Sequence, residues 1–385
     1  MTNKKVLYIT SFLPKKNASQ AGVKITYNLM KVMSLNLGCK LDLLCTLNSN
    51  EFGEKDDDIR GISEERFYFQ VSKFRKIINI IRNFHKPFIT SVRFDSRVKE
   101  FLKNSTKKYD YILIDYTQNI GYIDIIKKYS PDSKIAIIEH DVSFLGLERK
   151  ANKSSGLKKL IYNFEYKRLK KFEINTLKKF DKIYTLNEKD KELIKDIEGV
   201  EILTPFIGKW NVEKKPHSTF NIMYWGAMNR KENEIAVLDF VNNIWPYVDK
   251  ENTKFYIIGA NPSKKISDLK DDNIIVTGFV EDPKEYFSIM DLSVVPLTLG
   301  AGIKIKVLES LANKIPVITT SVGAEGIKYK NEFIVCDDFS LFAQNINYLK
   351  ENEKVREEMI IKSERLIDEQ FGFKGNQKIL GSFIK

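Results

Sequence analysis

The sequence predicts an α/β protein of two doubly wound, Rossmann-like domains, and three observations predict it. Short apolar runs alternate with helical segments in both halves of the chain, the pattern of a mostly parallel sheet with helices on both faces. The alternation breaks near Pro205-Phe-Ile-Gly208, continues through the polar Lys214-Lys-Pro-His217, and then starts again. At 385 residues the chain is long enough for two domains with substantial cores.

The first half reads as strands at 6–10, 41–47, 111–115, 135–140, 183–186 and 201–204, with a helix over 23–35. Further helices follow Gln118, Ser154 and Glu188, and the polar acidic stretch 48–62 reads as a loop. In the second half, strands are expected at 221–226, 254–259, 273–278, 292–297, 316–320 and 333–336. Helices are expected at 232–248, 283–290, 304–313, 340–349 and 354–369. The expected domains are therefore 1–207 and 208–372, with a C-terminal helix over 373–385 able to cross back to the first. Ligands of such sheets bind at the carboxyl ends of the strands, so two domains facing across a cleft could share one site.

Composition narrows the class. With 43% hydrophobic and 30% charged residues the chain fits a soluble globular protein, and no apolar run approaches the ~18–20 residues that span a bilayer. The start, MTNKKVLYIT, enters a strand without the apolar core of a signal peptide. Three sparse cysteines, Cys39, Cys45 and Cys336, suggest a reducing compartment and no disulfide framework. A cytoplasmic location is the expectation.

The net charge of +12 is unevenly placed. Residues 1–205 hold 39 Lys+Arg against 26 Asp+Glu, and residues 206–385 hold 24 against 25, so all of the basic excess lies in the first half. It concentrates in 73–108 and 149–182. In the second of these Leu160, Ile161, Phe164, Leu169, Phe172 and Leu177 recur among lysines at roughly helical spacing. Two readings stay open: a helix lying on an anionic membrane surface, or an ordinary helix with one face in the core and a lysine-rich outer face. No nucleic-acid-binding motif accompanies the charge, so nucleic acid is not an expected partner.

The most informative stretch is PLTLGAGIKIKVLESLANKIPVITTSVGAEG, from Pro296 to Gly326. It reads as a buried strand end, a glycine loop, a helix and a second strand. Lys304 and Lys306 sit in the first turn of the helix, where its dipole disfavours cations. Beside Gly300 and Gly302, they make sense if an anion such as a diphosphate sits on the free N–H groups. Glu309, one turn later, is placed to accept hydrogen bonds from a sugar diol. The alternative is solvated lysines, with Glu309 pairing with Lys306 across one turn.

These residues resemble the donor-binding segment of the GT-B retaining glycosyltransferases, family 4-like (glycosyl transferases group 1). In that family a Glu-x7-Glu motif spans the loop and helix. The resemblance makes Glu309 the second glutamate, which holds the nucleotide ribose. The first, a contact of the transferred sugar, falls on Ala301, a departure that leaves the donor sugar open. YWGAMNRKENEIAVLDFVNNIWPYV and VTGFVEDPKEYFSIMDLSVVPL resemble the start of the family's donor domain and the elements before its glutamate loop. There the resemblance implies base recognition by the backbone of Phe279 and Val280, whose side chains read equally well as strand-end packing. It also implies donor binding by Gly300, Gly302 and Ile303, and an approach of Gly22 to the donor phosphates. EHDVSFLGLER resembles a loop whose histidine, here His140, touches the transferred sugar.

The chemistry so implied is transfer of a sugar from a nucleotide sugar, with retention, to a glycan or lipid-linked glycan acceptor. A composition rich in Lys, Ile and Asn points to a bacterial source, and with it surface polysaccharide biosynthesis is the expected setting. Lys304 and Lys306 would neutralise the leaving diphosphate, and His140 would hydrogen-bond the sugar. No cofactor and no metal are expected. The Asp56-Asp-Asp58 string matches a metal-holding Asp-x-Asp only trivially, and no Cys/His spacing suggests zinc. The basic first half would attract anionic lipid or an acidic acceptor, making the inner face of the cell membrane a second expected location. Two other classes remain open: a non-catalytic GT-B subunit that binds glycan or stabilises a partner, and a nucleotide-sugar epimerase.

Overall fold

The computed structural model describes residues 3–16, 18, 20–53, 57–152, 154–300 and 302–384. The chain divides into two compact units, residues 1–205 with 376–385, and residues 206–375.

The first unit holds a seven-stranded sheet: β1 (Lys5–Thr10), β2 (Lys40–Leu47), β3 (Arg66–Gln70), β4 (Tyr111–Asp115), β5 (Lys134–Glu139), β6 (Lys182–Thr185) and β7 (Val200–Ile202), in the order β3-β2-β1-β4-β5-β6-β7. The second unit holds six: β8 (Phe220–Trp225), β9 (Thr253–Ile258), β10 (Ile274–Gly278), β11 (Leu292–Val295), β12 (Val317–Thr319) and β13 (Ile334–Val335), in the order β10-β9-β8-β11-β12-β13. Every ladder is parallel. The central strands are buried almost end to end, as in Leu41–Leu47 of β2 and all of β4 and β11. That is why they read as unbroken apolar runs rather than alternating ones. Strand order reverses between β1 and β4 and between β8 and β11, so each unit has one topological switch point.

Several expected boundaries shift for local reasons. The helix expected over 23–35 is Ala21–Lys31 followed by a π-type turn, Val32–Asn36. The one expected over 232–248 is Lys231–Asp239, then a π-type turn at Phe240–Ile244 and a 3₁₀ turn at Trp245–Tyr247. Pro246 cannot donate to a continuing α-helix. The expected helix over 304–313 is Ile305–Ala312, with Lys304 outside it as the N-cap residue. Strand β3 had no counterpart in the sequence reading; its Phe67 and Phe69 pack on Phe101 of the helix Ser96–Asn104.

The basic helix Gly156–Leu177 divides along its length. Leu169 and Leu177 are in the core and Phe172 packs against it, whereas Leu160, Ile161 and Phe164 are exposed. The core-face reading therefore holds only for its C-terminal half. In the first unit Phe383, near the chain end, packs its ring on Tyr111 and Tyr184 at 5.2 and 6.4 Å. No described helix is long and apolar enough to cross a membrane.

Candidate functional site

The second unit gathers its polar groups at the carboxyl ends of β8 and β11, its switch point. After β11 the chain turns through Gly300 and Gly302, with φ of +131° and +71°, and enters the helix Ile305–Ala312. Ile303 is partly exposed, and Ala301 lies outside the described residues. The Lys304 ammonium turns back to donate to the Gly302 carbonyl and lies 3.4 Å from the Glu325 carboxylate. Lys306 points the other way, toward the end of β8. It donates to Tyr224 Oη at 2.8 Å and Asn233 Oδ1 at 2.5 Å, and sits 4.3 Å from the Tyr224 ring centre.

This placement corrects the expected pair of lysines in the first helical turn, and it replaces the ion pair of Lys306 with Glu309. Glu309 is buried and accepts instead from Trp225 Nε1 at 2.7 Å. Trp225 is fixed edge-on to Phe287 and Trp210, at 5.6 and 6.3 Å between ring centres. A Cβ on Gly226 would stand 2.9 Å from Lys306 Nζ, so the glycine after β8 is what leaves room for the ammonium.

The partners of Lys306 are neutral, and no carboxylate among the described residues pairs with it. Burial pushes its pKa down to about 7; Arg230 and Lys304 add to the effect, while Glu232 and Glu309 oppose it. A desolvated amine with only neutral partners gains from an arriving anion, which would draw it back to the charged form. Tyr224, Trp225, Arg230 and Asn233 were missed in the sequence. The available signal was Gly226 with Arg230 four residues later, directly after a buried strand. Phe279 and Val280 follow β10; Phe279 is exposed, and Val280 packs in the cluster that contains Trp225.

The first unit also places its candidates at a switch point. Gly22 lies in the first turn of Ala21–Lys31 after β1, Asp115 ends β4, and His140 follows β5. His140 Nε2 meets Asp115 Oδ1 at 2.6 Å, and the ring stacks on Tyr116 at 4.0 Å and 12°. The other carboxylate oxygen of Asp115 accepts from Thr26 Oγ1 at 2.5 Å. With the carboxylate on Nε2, the proton belongs there and Nδ1 is left as an acceptor. Nδ1 is buried and has no hydrogen-bond partner among the described residues, the kind of orphan that points to a missing ligand. A Cβ on Gly22 would come within 2.6 Å of Tyr116 Oη and 3.3 Å of that nitrogen. Gly22 therefore keeps Nδ1 uncovered, and the structure brings these two candidates together.

Behind His140, Glu139 accepts from Thr117, while Glu173 caps the helix Ser143–Asn152 by accepting from the N–H groups of Ser143 and Phe144 at 2.9 and 3.2 Å. Burial raises the pKa of both, Glu173 to about 8. These carboxyls fix the loop that carries His140. Of the acidic string, Asp56 lies outside the described residues, Asp57 pairs with Arg60, and Asp58 accepts from the Lys16 N–H.

Residues 219–352 match the model of the family described as glycosyl transferases group 1. The uncharacterized 44.6 kDa protein in cps region of Klebsiella pneumoniae is 24% identical over 368 residues, covering 90% of this chain and 91% of that one. HepE of Anabaena, solved in complex with UDP and glucose, superposes with a TM-score of 0.67 at 10% identity over 99% of both chains. WaaG, a glycosyltransferase involved in lipopolysaccharide biosynthesis, gives 0.68 at 14% identity over 99% of both. Sucrose-phosphate synthase from Thermosynechococcus elongatus gives 0.70 at 12% identity, over 99% of this chain and 98% of the other. At these identities the solved structures establish the fold, and the family model establishes the domain. Residues 219–352 are a group 1 glycosyltransferase domain, in a chain with the two parallel-sheet α/β units of the GT-B glycosyltransferases.

Proposed function

We propose that this protein is a retaining glycosyltransferase that moves a sugar from a nucleotide donor to a glycan or lipid-linked glycan acceptor in bacterial surface polysaccharide assembly. The observation that carries the reading is the second unit's switch point. Lys304, Lys306 and the N-terminus of Ile305–Ala312 gather positive potential there, beside a Glu309 held by Trp225. The diphosphate is assigned to the cations, the Gly300 and Gly302 loop and Ile303. The ribose diol is assigned to Glu309, and the base to the backbone of Phe279 and Val280. Gly22 is assigned to a close approach of the donor phosphates, and His140 Nδ1 to a hydroxyl of the transferred sugar.

In the reaction the bond from the anomeric carbon to the leaving phosphate oxygen breaks. A bond from the acceptor oxygen to the same face of that carbon forms, and the acceptor proton passes to the departing phosphate oxygen. The protein then supplies charge and orientation rather than a base. With two ammonium groups to neutralise the diphosphate, no divalent metal is needed, and the work is assigned to the cytoplasm. HepE is solved with UDP, glucose and UDP-glucose, WaaG serves lipopolysaccharide biosynthesis, and the Klebsiella relative lies in a cps region. These favour a uridine nucleotide and a surface glycan.

The test is turnover of a nucleotide-sugar panel with glycan and lipid-linked acceptors, with and without a chelator, and the anomeric configuration of the product read by NMR. Retained configuration and chelator-insensitive turnover support the reading. Nucleotide binding without transfer would identify a non-catalytic subunit, and acceptor-free conversion of the donor would identify an epimerase.

A further inference from the structure

The first unit carries a second candidate site, a cationic one whose lining includes neither Gly22 nor His140. A cavity of about 350 Å³ is lined by Lys86, Asp124, Arg168, Lys171, Phe172 and Lys179, among others. Its one carboxylate, Asp124, is taken by Lys179 at 2.7 Å. Arg168 is committed to Glu165 and to the carbonyls of Phe84 and Lys86. Lys86 is half-buried, its ammonium between the Phe94 and Phe172 rings at 4.6 and 5.2 Å. Neither Lys86 nor Lys171 has a hydrogen bond or ion pair from its ammonium to any described residue. Two unneutralised ammonium groups at a cavity of this size suit a phosphate.

What surrounds the cavity separates a lipid from a free anion. In the helix Lys73–Arg82 and just past it, Phe74, Ile77, Ile81 and Phe84 recur at helical spacing, each more than half exposed. At the start of Gly156–Leu177, Leu157, Leu160, Ile161 and Phe164 form a second exposed stripe. The stripes meet at the cavity: Arg168 binds the Phe84 carbonyl, and Glu165 accepts from the Phe88 N–H at 2.9 Å. Single exposed apolar residues need no explanation, but two stripes whose ends, Phe84 and Phe164, both touch the Arg168 of one pocket do.

The charge around them is predominantly positive. Residues 73–92 contain Lys73, Arg75, Lys76, Arg82 and Lys86 and no acid. The exposed half of the second helix adds Lys158 and Lys159, and its Glu165 is bridged by Arg168. A second copy of this chain would bring the same positive face and be repelled. An anionic bilayer offers both the opposite charge and an apolar layer.

We infer that this face of the first unit docks on an anionic membrane surface, with the cavity at Lys86 taking a lipid phosphate headgroup and the two stripes entering the acyl boundary. The site is independent of the donor residues, and it deepens the acceptor side of the proposed function by bringing the enzyme to where lipid-linked glycans are.

The test is co-sedimentation of the full chain with phosphatidylcholine vesicles, with and without phosphatidylglycerol, at low and raised salt and without nucleotide. Binding is expected only with phosphatidylglycerol, and weaker in salt. Phe84→Ser and Phe164→Ser should each lose on the order of tenfold in vesicle affinity, and Lys86→Gln about fivefold. All three variants should keep the wild-type melting temperature and nucleotide affinity, which separates this inference from the transferase reading. Equal binding to both vesicle types would overturn it. So would variants that bind like wild type, or glycerol phosphate in solution binding as tightly as vesicles.

Discussion

The two switch points share a layout and differ in chemistry. In the first unit the central groups are a carboxylate and an imidazole locked together, with Asp115 on Nε2 of His140 and Nδ1 left open beside Gly22. In the second they are ammonium groups, Lys306 on neutral partners and Lys304 beside the Glu325 carboxylate, with a glutamate steered by an indole. The first arrangement fixes the orientation of an imidazole; the second gathers ammonium groups. On the proposed function, the first would meet a sugar hydroxyl and the second a diphosphate. The proposed division of labour is open to test: changes at the second unit's lysines should strike nucleotide affinity, and changes at the Asp115–His140 pair turnover alone.

The largest effect is expected from Lys306→Ala, which removes the ammonium held at the end of β8 by Tyr224 and Asn233. Donor kcat/KM should fall on the order of 10²–10³-fold, as when one electrostatic stabiliser of a transition state is lost, and calorimetric nucleotide affinity should fall with it. An unchanged nucleotide affinity would remove Lys306 from the diphosphate site. Next comes Asp115→Asn, which unlocks the imidazole without touching the lysines. Turnover should drop roughly 10–100-fold, the usual scale for losing an orienting partner, while nucleotide affinity stays at wild type. If both fall together, the two sites do not divide the work as described.

A smaller effect is expected from Trp225→Phe. It keeps most of the ring packing on Phe287 but deletes the N–H that holds Glu309. Nucleotide binding should weaken on the order of tenfold, the worth of a hydrogen bond to a charged group. Trp225→Phe binding nucleotide as well as wild type would make the indole a packing residue only.

The smallest effect is a pH dependence. In the free protein Lys306 is charged below about 7, and a bound diphosphate holds the charged form to higher pH. Binding above pH 7 then takes up a proton, so affinity should decline as pH rises past 7, by less than tenfold per pH unit. Lys306→Arg stays charged and should remove that decline, leaving only the titration of the nucleotide itself. Stability moves the opposite way. The native state binds fewer protons than the unfolded chain between about 7 and the ordinary lysine value, so unliganded wild type should gain stability as pH rises through that window. Lys306→Met should abolish the gain in a thermal melt.

How much was legible follows the range of the interactions. Periodicity is local, so the strands of both sheets, the break near Pro205 and the glycine loop could be read from neighbouring residues. Strand β3 could not, because RFYFQ lies at the sheet edge, is only partly buried, and packs its Phe67 and Phe69 on Phe101, more than thirty residues away. The basic helix Gly156–Leu177 showed its apolar positions but not which of them would find a core. Leu169 and Leu177 did, and Phe164 did not.

The sequence by itself determined the α/β class, the two-fold alternation, and the set of residues after β11 from Gly300 to Glu309. Hydrophobic period, turn residues and residue order already contain those. Only the tertiary structure decided where the side chains in that set point. Lys306 leaves the helix N-terminus for Tyr224 and Asn233, 82 and 73 positions away, because Gly226 vacates the space. Glu309 is met by Trp225, 84 positions away, because both lie at the same end of one parallel sheet. Strand order, which no window of sequence contains, made those distant residues neighbours.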